Sequence, residues 1–582
     1  MPIDPARSLA NAAAAAQLWA GLAARCRDVV MSPGSRNTPL VLAAWARADL
    51  RLHVVLDERA AAFMALGLAR QSGRPVALLC TSGSAGAHYL PALCEADQSR
   101  IPLIAITADR PPELHACGAP QTMAQAGLFG CHVRHERTLF DLTEAGWRHA
   151  GLVAADRAVV TPAGPVHLNV ALREPLWSPG CELPAPEASL PAHLGASRLA
   201  QDALQSLADR LSNVPRGVVF CGARQGDGDV SAAAMALARA TGWPLLAAAT
   251  SGVRFGPHLE AGRVIGAFDA IIEAELLPPP DVAVQVGAAP LNKSTLCWLS
   301  AAGHVLRIDP AGARRDPLLA GGSLVVADAA ATLAGLADLV VGAASGWRQA
   351  WLAAEDAAQD AIDSAAEPLL EVGVARAVAG ALPAGTPLLV AASMPSRDLN
   401  AFARPRALGP EVFGNRGLNG IDGLVATAAG HALEAGRATL LCGDLALLHD
   451  VGGLLAAVTS RARLDLVVVD NGGGGIFGEL PIHAHPTAFE PCFLTPQAAS
   501  IPALCRGAGA AVHVLKSTRE LAQLLMSEAS GVRVLVVPVD RVQSAAHRKQ
   551  TGLDVAAAAR AAVEAPPYKP AAIADSPQKE SI

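Results

Sequence analysis

A carboxylate, an amide and a run of glycines follow two apolar segments in the last third of the sequence. Asp444 follows Gly443 at the end of LLCG, and Asn471 follows LDLVVVD, with 26 residues between Asp444 and Asn471. Carboxylate, amide and backbone carbonyl oxygens are ligands that Mg²⁺ prefers, and the ion often shares them with phosphate oxygens. The glycines that follow Asn471 let the backbone approach a diphosphate closely. We therefore expect Asp444, Asn471 and Gly473 to bind a metal, with Gly443 beside them.

A simpler interpretation of this pattern is a solvated Asp and a glycine-rich loop at two strand ends. A Gly-Asp pair, a spacing of this length and an apolar strand that ends in Asn together resemble the thiamine-diphosphate motif. This resemblance favours the functional interpretation and implies thiamine diphosphate with Mg²⁺ or Mn²⁺ as cofactors.

A second candidate is Glu58, which follows an apolar segment in HVVLDERAAAFMALGLAR. A Glu at the start of a helix is often only stabilised by the helix dipole. In thiamine enzymes, however, one Glu contacts the aminopyrimidine ring and promotes removal of the proton from the thiazolium C2. Such a Glu needs a raised pKa to share a proton near neutral pH. Glu58 is therefore the predicted catalytic residue, and it would also bind the cofactor.

The segments that would position these residues alternate between short apolar runs and Ala-rich stretches, which is typical of βα units. Strand-like runs include HVVLD (53–57), VALLCTSG (76–83), LIAITADRP (103–111) and LDLVVVDNGGGG (464–475). Polar and glycine residues follow the runs, and ligands bind at the carboxyl ends of strands in open α/β sheets. We predict an α/β fold with domains at 1–188, 195–345 and 365–562, followed by a mobile tail at 563–582.

Composition excludes several classes of protein. With 52% hydrophobic and 17% charged residues, the 582-residue chain can bury large cores, and a net charge of −6 argues against a nucleic-acid partner. The eleven cysteines are scattered, which is typical of thiols in a reducing cytoplasm. The N-terminus lacks a clean apolar stretch, and prolines interrupt the longest uncharged run, 377–396. We therefore expect a cytoplasmic protein that does not insert into membranes.

Eight segments in order along the chain resemble the 2-succinyl-5-enolpyruvyl-6-hydroxy-3-cyclohexene-1-carboxylate (SEPHCHC) synthase family of menaquinone biosynthesis. The segments are SPGSRNTPL (32–40), LDERAAAFMALGLAR (56–70), TSGSAGAHYLPALCEA (81–96), TADRPPEL (107–114), SMPSRD (393–398), GNRGLNGIDGLVATAAG (414–430), GDLALLHD (443–450) and DNGGGGIFGELP (470–481). The metal motif occurs in any thiamine enzyme, whereas SPGSR, TADRPPEL and NRGxxGIDG are much more particular to this family.

The resemblance implies three doubly wound parallel-sheet domains of the thiamine-diphosphate enzyme type. They would be an N-terminal pyrimidine-binding domain, a central domain and a C-terminal diphosphate-binding domain. It further implies a homodimer or dimer of dimers, with Glu58 from one subunit facing Asp444 of the other. Ile421 would support the bent cofactor, although a core Ile after a tight turn is an equal alternative. Ile476 and Phe477 would form an apolar wall, where core packing is the default interpretation.

The implied substrates, 2-oxoglutarate and isochorismate, are dicarboxylates, and Arg offers two parallel donors to a carboxylate. Any single Arg at a strand end is more often a surface residue, but five cations match the family's substrate-binding positions. The matching cations are Arg36, Arg110, Lys293, Arg397 and Arg416, with Ser35, Gln121 and Ser393 as polar neighbours.

The chain departs from the family in two segments. Pro120 in CGAPQT stands where the family usually has Asn, and DNGGGG is poorer in Asn than many members. Asn471 is retained, so metal binding is expected to survive. A substrate contact near Pro120 is in doubt.

The implied reaction decarboxylates 2-oxoglutarate and adds the succinyl fragment to isochorismate in conjugate fashion. A different thiamine carboligase or 2-oxoacid decarboxylase would keep Glu58, Asp444 and Asn471 but would not need the arginines. A non-catalytic relative that binds the cofactor or a partner would be free to lose Glu58. These two classes are the alternatives to the synthase.

Overall fold

The structure is a computed structural model that describes residues 5–565 except 186 and 227. In this part of the chain there are three β-sheets, of six, five and six strands. All paired strands within them are parallel. The prediction of three doubly wound parallel sheets with helices is therefore confirmed.

The first sheet belongs to the first third of the chain. Its strands are β1 (Asp28–Met31), β2 (Arg51–Val54), β3 (Val76–Cys80), β4 (Leu103–Asp109), β5 (Glu136–Leu139) and β6 (Val166–Ala171). The helices of this region are α1 (Pro5–Leu22), α2 (Thr38–Trp45), α3 (Glu58–Ser72), α4 (Ser84–Ala87), α5 (Leu90–Ser99) and α6 (Glu144–Val159). The strand order is β2-β1-β3-β4-β6-β5.

The strand predicted at 53–57 is shifted in the structure, because β2 ends at Val54. Asp57 instead caps α3, and its carboxylate accepts a hydrogen bond from the backbone N–H of Arg59 at 2.9 Å. A side chain that caps a helix start ends the preceding strand early.

The middle sheet contains five strands. They are β7 (Gly217–Cys221), β8 (Leu245–Ala247), β9 (Val282–Val286), β10 (His304–Ile308) and β11 (Ser323–Val325). The helices are α7 (Gln201–Leu211), α8 (Ser231–Thr241), α9 (Phe268–Glu273), α10 (Lys293–Ser300) and α11 (Ala329–Leu339), and α12 (Trp347–Ala365) follows them. The strand order is β11-β10-β9-β7-β8.

The third sheet again has six strands. They are β12 (Pro387–Val390), β13 (Glu411–Phe413), β14 (Ala438–Gly443), β15 (Leu464–Asp470), β16 (Ala511–Val514) and β17 (Val532–Pro538). Its helices are α13 (Glu371–Ala381), α14 (Met394–Phe402), α15 (Leu424–Ala435), α16 (Asp444–His449), α17 (Val451–Thr459), α18 (Ile501–Gly507), α19 (Thr518–Met526) and α20 (Arg541–Glu564). The strand order is β13-β12-β14-β15-β17-β16.

The three sheets share one winding pattern. The first and third sheets have the same strand order, and in all three the first four strands lie in the order second, first, third, fourth. The central strands are runs of buried aliphatic residues, as expected when helices cover both faces of a parallel sheet. The winding reverses between the first and third strands of each sheet, and ligands bind at such reversal points.

The first and third domains share one hydrophobic core, in which α3 packs against α15. A Cβ at Gly67 of α3 would overlap the carbonyl oxygen of Thr427, and a Cβ at Gly430 of α15 would overlap the carbonyl oxygen of Met64. The two glycines therefore allow the helix backbones to touch. Any side chain at either position would force the helices apart.

The predicted domain boundaries at 188, 195–345 and 365–562 stay a proposal. The long helix α12 lies between the second and third predicted domains, and it packs on α20 and on the middle domain through Trp351. Helix α20 continues to Glu564, and residues 566–582 of the predicted tail lie outside the described residues.

No helix in the described part of the chain is long and apolar enough to cross a membrane. The uncharged run 377–396 contains the end of α13, a loop, β12 and the start of α14.

Candidate active site

A cleft of about 730 Å³ opens at the carboxyl ends of β12, β14 and β15, where the winding of the third sheet reverses. Loops after β7, β8 and β9 of the middle domain form the opposite wall. Ten of the residues predicted from sequence line this cleft. They are Ser393, Arg397, Arg416, Ile421, Gly443, Asp444, Asn471, Gly473, Ile476 and Phe477.

The floor of the cleft contains the predicted metal ligands. Strands β14 and β15 are paired in register, with Gly443 opposite Val469, so Asp444 and Asn471 follow adjacent strand ends. Asp444 is buried at 6% exposure. The Asn471 Nδ2 donates to Glu371 Oε1 at 3.3 Å, while its buried Oδ1 has no hydrogen-bond partner among the residues that the structure describes. An unpaired buried acceptor costs free energy unless a ligand satisfies it, so Asn471 Oδ1 is suited to a cation.

The glycine loop brings its backbone close to these oxygens. Gly473 has a φ of +134°, and a Cβ there would overlap the carbonyl oxygen of Leu494. The Gly474 N–H donates to the same carbonyl at 2.7 Å. A Cβ at Gly475 would lie 2.9 Å from Asn471 Nδ2. At Gly473 and Gly474 a Cβ would overlap backbone oxygens, so glycine is needed there. The Gly473 carbonyl accepts from the Gly475 N–H at 2.9 Å and keeps a second lone pair for a ligand.

The electrostatics of the floor favour a bound cation. The pKa of Asp444 is raised to about 6, chiefly by burial and also by the neighbouring Asp470 carboxylate, while hydrogen bonds from the backbone N–H groups of Leu445 and Gly473 oppose the rise. The described residues hold no cluster of three or more His, Cys, Asp or Glu side chains that could bind a metal alone. One carboxylate, one amide oxygen and one backbone carbonyl are instead the hard oxygen donors that would suit Mg²⁺.

A charge network lies behind Asn471, with Glu371 and Asp398 buried and Glu479 exposed. Arg548 of α20 pairs with Asp398 of α14 at 2.8 Å, with Glu371 at 3.1 Å and with Glu479 at 3.1 Å. Burial raises the pKa of Asp398 to about 7, although Arg548 opposes that shift. The network holds Glu371, which in turn orients the Asn471 amide.

Two cations and two apolar groups line the cleft above the floor. The exposed Arg397 donates through Nη1 to the Ser393 carbonyl at 2.9 Å. Burial lowers the pKa of the half-buried Arg416, and the nearby Arg397 guanidinium lowers it further. Ile421 is 36% exposed, and Phe477 packs edge-on against Phe493 with ring centroids 5.6 Å apart. The cleft thus combines paired positive charge with an apolar wall.

Sequence patterns gave no indication of Arg254, which fixes α14 from the middle domain. Arg254 is fully buried and donates to the backbone carbonyls of Ala247, Gly266 and Asn400 at 2.6–2.9 Å. The Asn400 side chain on α14 also donates to Asp269 at 2.7 Å. No local motif identifies this contact, because its partners are more than 100 residues apart.

A second polar group lies at the carboxyl ends of the first sheet. Arg110 bonds to Ser82, and Gln121 donates to the Ser82 carbonyl at 2.9 Å. Arg36 is buried against the carbonyl of Leu172 at 3.0 Å and pairs with Glu174 at 2.6 Å. Ser82 was not predicted, although its position in TSGS directly after β3 was a usable signal.

None of the residues of the first domain lines the described cleft. Ser35 is exposed beside Arg36, and Glu58 is half-buried at the start of α3. The Leu56 side chain beside Glu58 is 85% exposed. Within one chain, the structure therefore does not bring Glu58, Ser35, Arg36, Arg110 or Gln121 to the cleft.

Lys293 also lies outside the cleft lining. It is exposed at the first residue of α10, and it lines a separate pocket of about 580 Å³ with Glu273 and Cys297. The Asn292 side chain caps α10, accepting from the Ser294 N–H at 2.8 Å and donating to Glu273 at 2.8 Å. The preceding segment, 288–291, does reach the cleft.

Comparisons with known proteins agree with this geometry. Residues 12–128 match the family model of the thiamine pyrophosphate enzyme N-terminal TPP-binding domain. The chain is 42% identical over 559 residues to a SEPHCHC synthase of Thermobifida fusca (strain YX), covering 92% of this chain and 96% of that protein. It is 39% identical over 520 residues to a SEPHCHC synthase of Myxococcus xanthus (strain DK1622), covering 84% and 87%.

Two solved structures share the fold. The thiamine diphosphate-dependent 4-hydroxybenzoylformate decarboxylase of Rhodococcus jostii RHA1 superposes with a TM-score of 0.70 at 19% identity, covering 90% of this chain and 99% of that one. The benzoylformate decarboxylase of Polynucleobacter necessarius gives 0.69 at 17% identity, covering 91% and 98%. The predicted fold type, that of thiamine-diphosphate enzymes, is confirmed.

Proposed function

We propose a function on the premise that this chain belongs to the SEPHCHC synthase family, to whose members it is 42% and 39% identical over most of its length. It is a thiamine-diphosphate-dependent carboligase that decarboxylates 2-oxoglutarate and adds the succinyl unit to isochorismate in menaquinone biosynthesis. The observation that carries this function is the unpaired Asn471 oxygen beside the buried Asp444, below a cleft that contains Arg397 and Arg416.

Asp444, Asn471 and the Gly473 carbonyl would hold Mg²⁺ or Mn²⁺, and the glycine cradle would hold the diphosphate with Gly443. The buried carboxylate, the unpaired amide oxygen and the close backbone support this assignment. When bound, thiamine diphosphate supplies a ring that accepts the electrons released as carbon dioxide leaves a 2-oxoacid. Ile421, Ile476 and Phe477 would support the cofactor and exclude water from its reactive end.

Arg397 and Arg416 would bind the carboxylates of the two substrates. The neighbouring guanidinium groups of Arg397 and Arg416 repel each other, and a dicarboxylate would relieve that repulsion while forming charge-assisted hydrogen bonds. Ser393 would add a polar contact beside Arg397. Water must be kept out of this cleft, because protonation of the succinyl fragment before its addition to isochorismate would give succinic semialdehyde.

A second copy of the chain would complete the site in a homodimer or dimer of dimers. The cleft of one chain lacks lining from the first domain, and Glu58 stands beside exposed apolar side chains, Leu56 and Val54. Exposed apolar side chains that lie together are a common mark of a protein–protein contact. The partner would bring Glu58 to the cofactor, and Ser35, Arg36, Arg110 and Gln121 towards the substrates.

The remaining predicted cation, Lys293, would need a movement of the start of α10 to contact a substrate.

For the cellular location we propose the cytoplasm, because the eleven cysteines are all free thiols, as a reducing compartment maintains them.

The function is tested by incubation of the purified chain with 2-oxoglutarate and isochorismate. Product of the SEPHCHC mass is expected only when thiamine diphosphate and Mg²⁺ or Mn²⁺ are both present. Turnover of pyruvate in preference to 2-oxoglutarate would support a different thiamine carboligase or decarboxylase instead. Cofactor binding without turnover of any oxoacid would support a non-catalytic relative.

Replacement of Arg397 or Arg416 with Ala is expected to lower kcat/KM for the two dicarboxylates by about a hundredfold. Lys at either position should recover only part of this loss, since Lys lacks the planar fork of Arg. Steady-state kinetics with 2-oxoglutarate, with and without isochorismate, measures the effect. Arg404→Ala is the control, because Arg404 is an exposed, surface-paired Arg of the same domain. Wild-type efficiency in both cleft variants would contradict the assignment of Arg397 and Arg416 to the substrates.

A further inference from the structure

The loop formed by residues 414–423 connects β13 to α15 and carries three residues that line the cleft, Arg416, Asn419 and Ile421. This 414–423 loop contains no helix or strand. A loop without regular structure needs outside contacts to hold a side chain in one place. Glu95 and Arg70 of the first domain bond to this loop, and Gln225 of the middle domain donates to the Arg416 carbonyl at 3.4 Å.

Glu95 of α5 makes two of these contacts. Its Oε1 accepts from the Gly417 N–H at 3.0 Å, and its Oε2 accepts from the Leu418 N–H at 2.8 Å. Ser99, one turn later on α5, donates to Oε1 at 2.6 Å. The Glu95 side chain is buried at 3% exposure, so these bonds form away from bulk water.

Two further features fit α5 and α3 to the loop. Arg70 of α3 donates to Asn415 Oδ1 at 2.7 Å and pairs with Glu95 at 3.4 Å. A Cβ at Gly417 would lie 2.8 Å from the Gln98 Cβ and 2.9 Å from Ser99 Oγ. The backbone at Gly417 thus approaches α5 as closely as a glycine allows.

We propose that Glu95 is a positioning residue, which fixes the backbone after Arg416 so that the Arg416 guanidinium faces the substrate beside Arg397. The inference rests on the proposed function, since it assigns Glu95 a part in the same site. A carboxylate that accepts two consecutive N–H groups fixes one peptide orientation, and that peptide directly follows Arg416.

Glu95 offsets a force that acts on this arrangement. Arg397 and Arg416 lie close enough for one guanidinium to lower the pKa of the other, so their charges repel before substrate binds. A free loop would relax by moving Arg416 away from Arg397. The charge-assisted bonds of the buried Glu95 to the Gly417 and Leu418 N–H groups resist that movement.

Glu95→Gln and Glu95→Ala test the inference, with Asp97→Asn as the matched control. Gln keeps one acceptor, whereas Ala keeps none. Asp97 lies on the same helix and pairs with Arg134 of the first domain. The control therefore loses a paired carboxylate of α5 without a bond to the loop. Hydrogen exchange of the amides of 414–423 is expected to accelerate about tenfold in Glu95→Ala, less in Glu95→Gln and not at all in Asp97→Asn.

Kinetics separate a positioning role from a structural one. We expect Glu95→Gln to raise KM for the dicarboxylates about tenfold with a smaller change in kcat. In an Arg416→Ala background the same substitution should have almost no further effect, because Glu95 acts through Arg416. Independent, multiplying effects in the double variant would overturn the inference, as would unchanged loop exchange in Glu95→Ala.

Failure of the proposed function would give a different result. A wild-type chain that turned over none of the dicarboxylates would reject the synthase activity, whatever the loop does. The amide exchange of 414–423 would then decide alone whether Glu95 anchors the loop. The two failures are therefore distinguishable.

Discussion

Asp444→Ala is expected to abolish tight binding of thiamine diphosphate. Changes to outer partners of metal ligands weaken metal sites by roughly 10–100-fold, so loss of a direct carboxylate ligand should exceed that range. Asn471 and Gly473 would remain, but neither carries a negative charge to balance the cation. Calorimetric titration of the purified variant with thiamine diphosphate and Mg²⁺ measures the loss.

Asp470→Asn is the matched control for this measurement. Asp470 ends β15 directly before Asn471, and its charge raises the pKa of Asp444. Asp470 itself is not a predicted metal ligand. The Asp470→Asn control is expected to bind thiamine diphosphate with near wild-type affinity. The wild-type chain is expected to lose affinity for thiamine diphosphate when a chelator removes the metal. Tight binding by Asp444→Ala would exclude Asp444 as a metal ligand.

Glu58→Gln is expected to bind the cofactor normally but to exchange its C2 proton about a hundredfold more slowly or worse. Gln keeps the shape of Glu but cannot share a proton with the aminopyrimidine ring. Deuterium exchange at C2, followed by NMR, measures this step without substrate.

Asp57→Asn provides the control, since it removes the adjacent carboxylate while Asn can still cap α3.

Mixing the subunits adds a test of the assembly. If Glu58 and Asp444 act across two chains, a heterodimer of Glu58→Gln and Asp444→Ala contains one intact site. Activity that appears on mixing two inactive variants is then expected. Continued inactivity of verified heterodimers would place both residues in the same chain.

The sequence was most informative where residues able to bind a ligand directly follow a predicted strand. Asp444 and Asn471 could be predicted as neighbours, because carboxyl ends of adjacent parallel strands meet at one edge of a sheet. Arg397, Arg416 and Ile421 came from resemblance to a family, and the structure places all three in the cleft.

Long-range contacts could not be predicted in this way. Glu95 and Gly417 are separated by more than 300 residues, and nothing local to either segment indicates the bond. Arg36 was predicted only as a substrate cation, yet its guanidinium bonds to Leu172 and Glu174 within the chain. Sequence patterns indicate the hydrophobic periodicity and the ends of helices and strands. These contacts instead depend on how distant domains pack together.

The contact between Gly67 and Gly430 has a consequence for protein synthesis. Residues Ala60–Ala69 of α3 are all buried, and the side of the helix that faces α15 has no cover until residues 424–435 leave the ribosome. At roughly 5–20 residues per second, the remaining translation takes on the order of tens of seconds. During that interval the nascent first domain exposes an apolar helix face, and exposed apolar surface of this kind makes incompletely folded chains prone to aggregate.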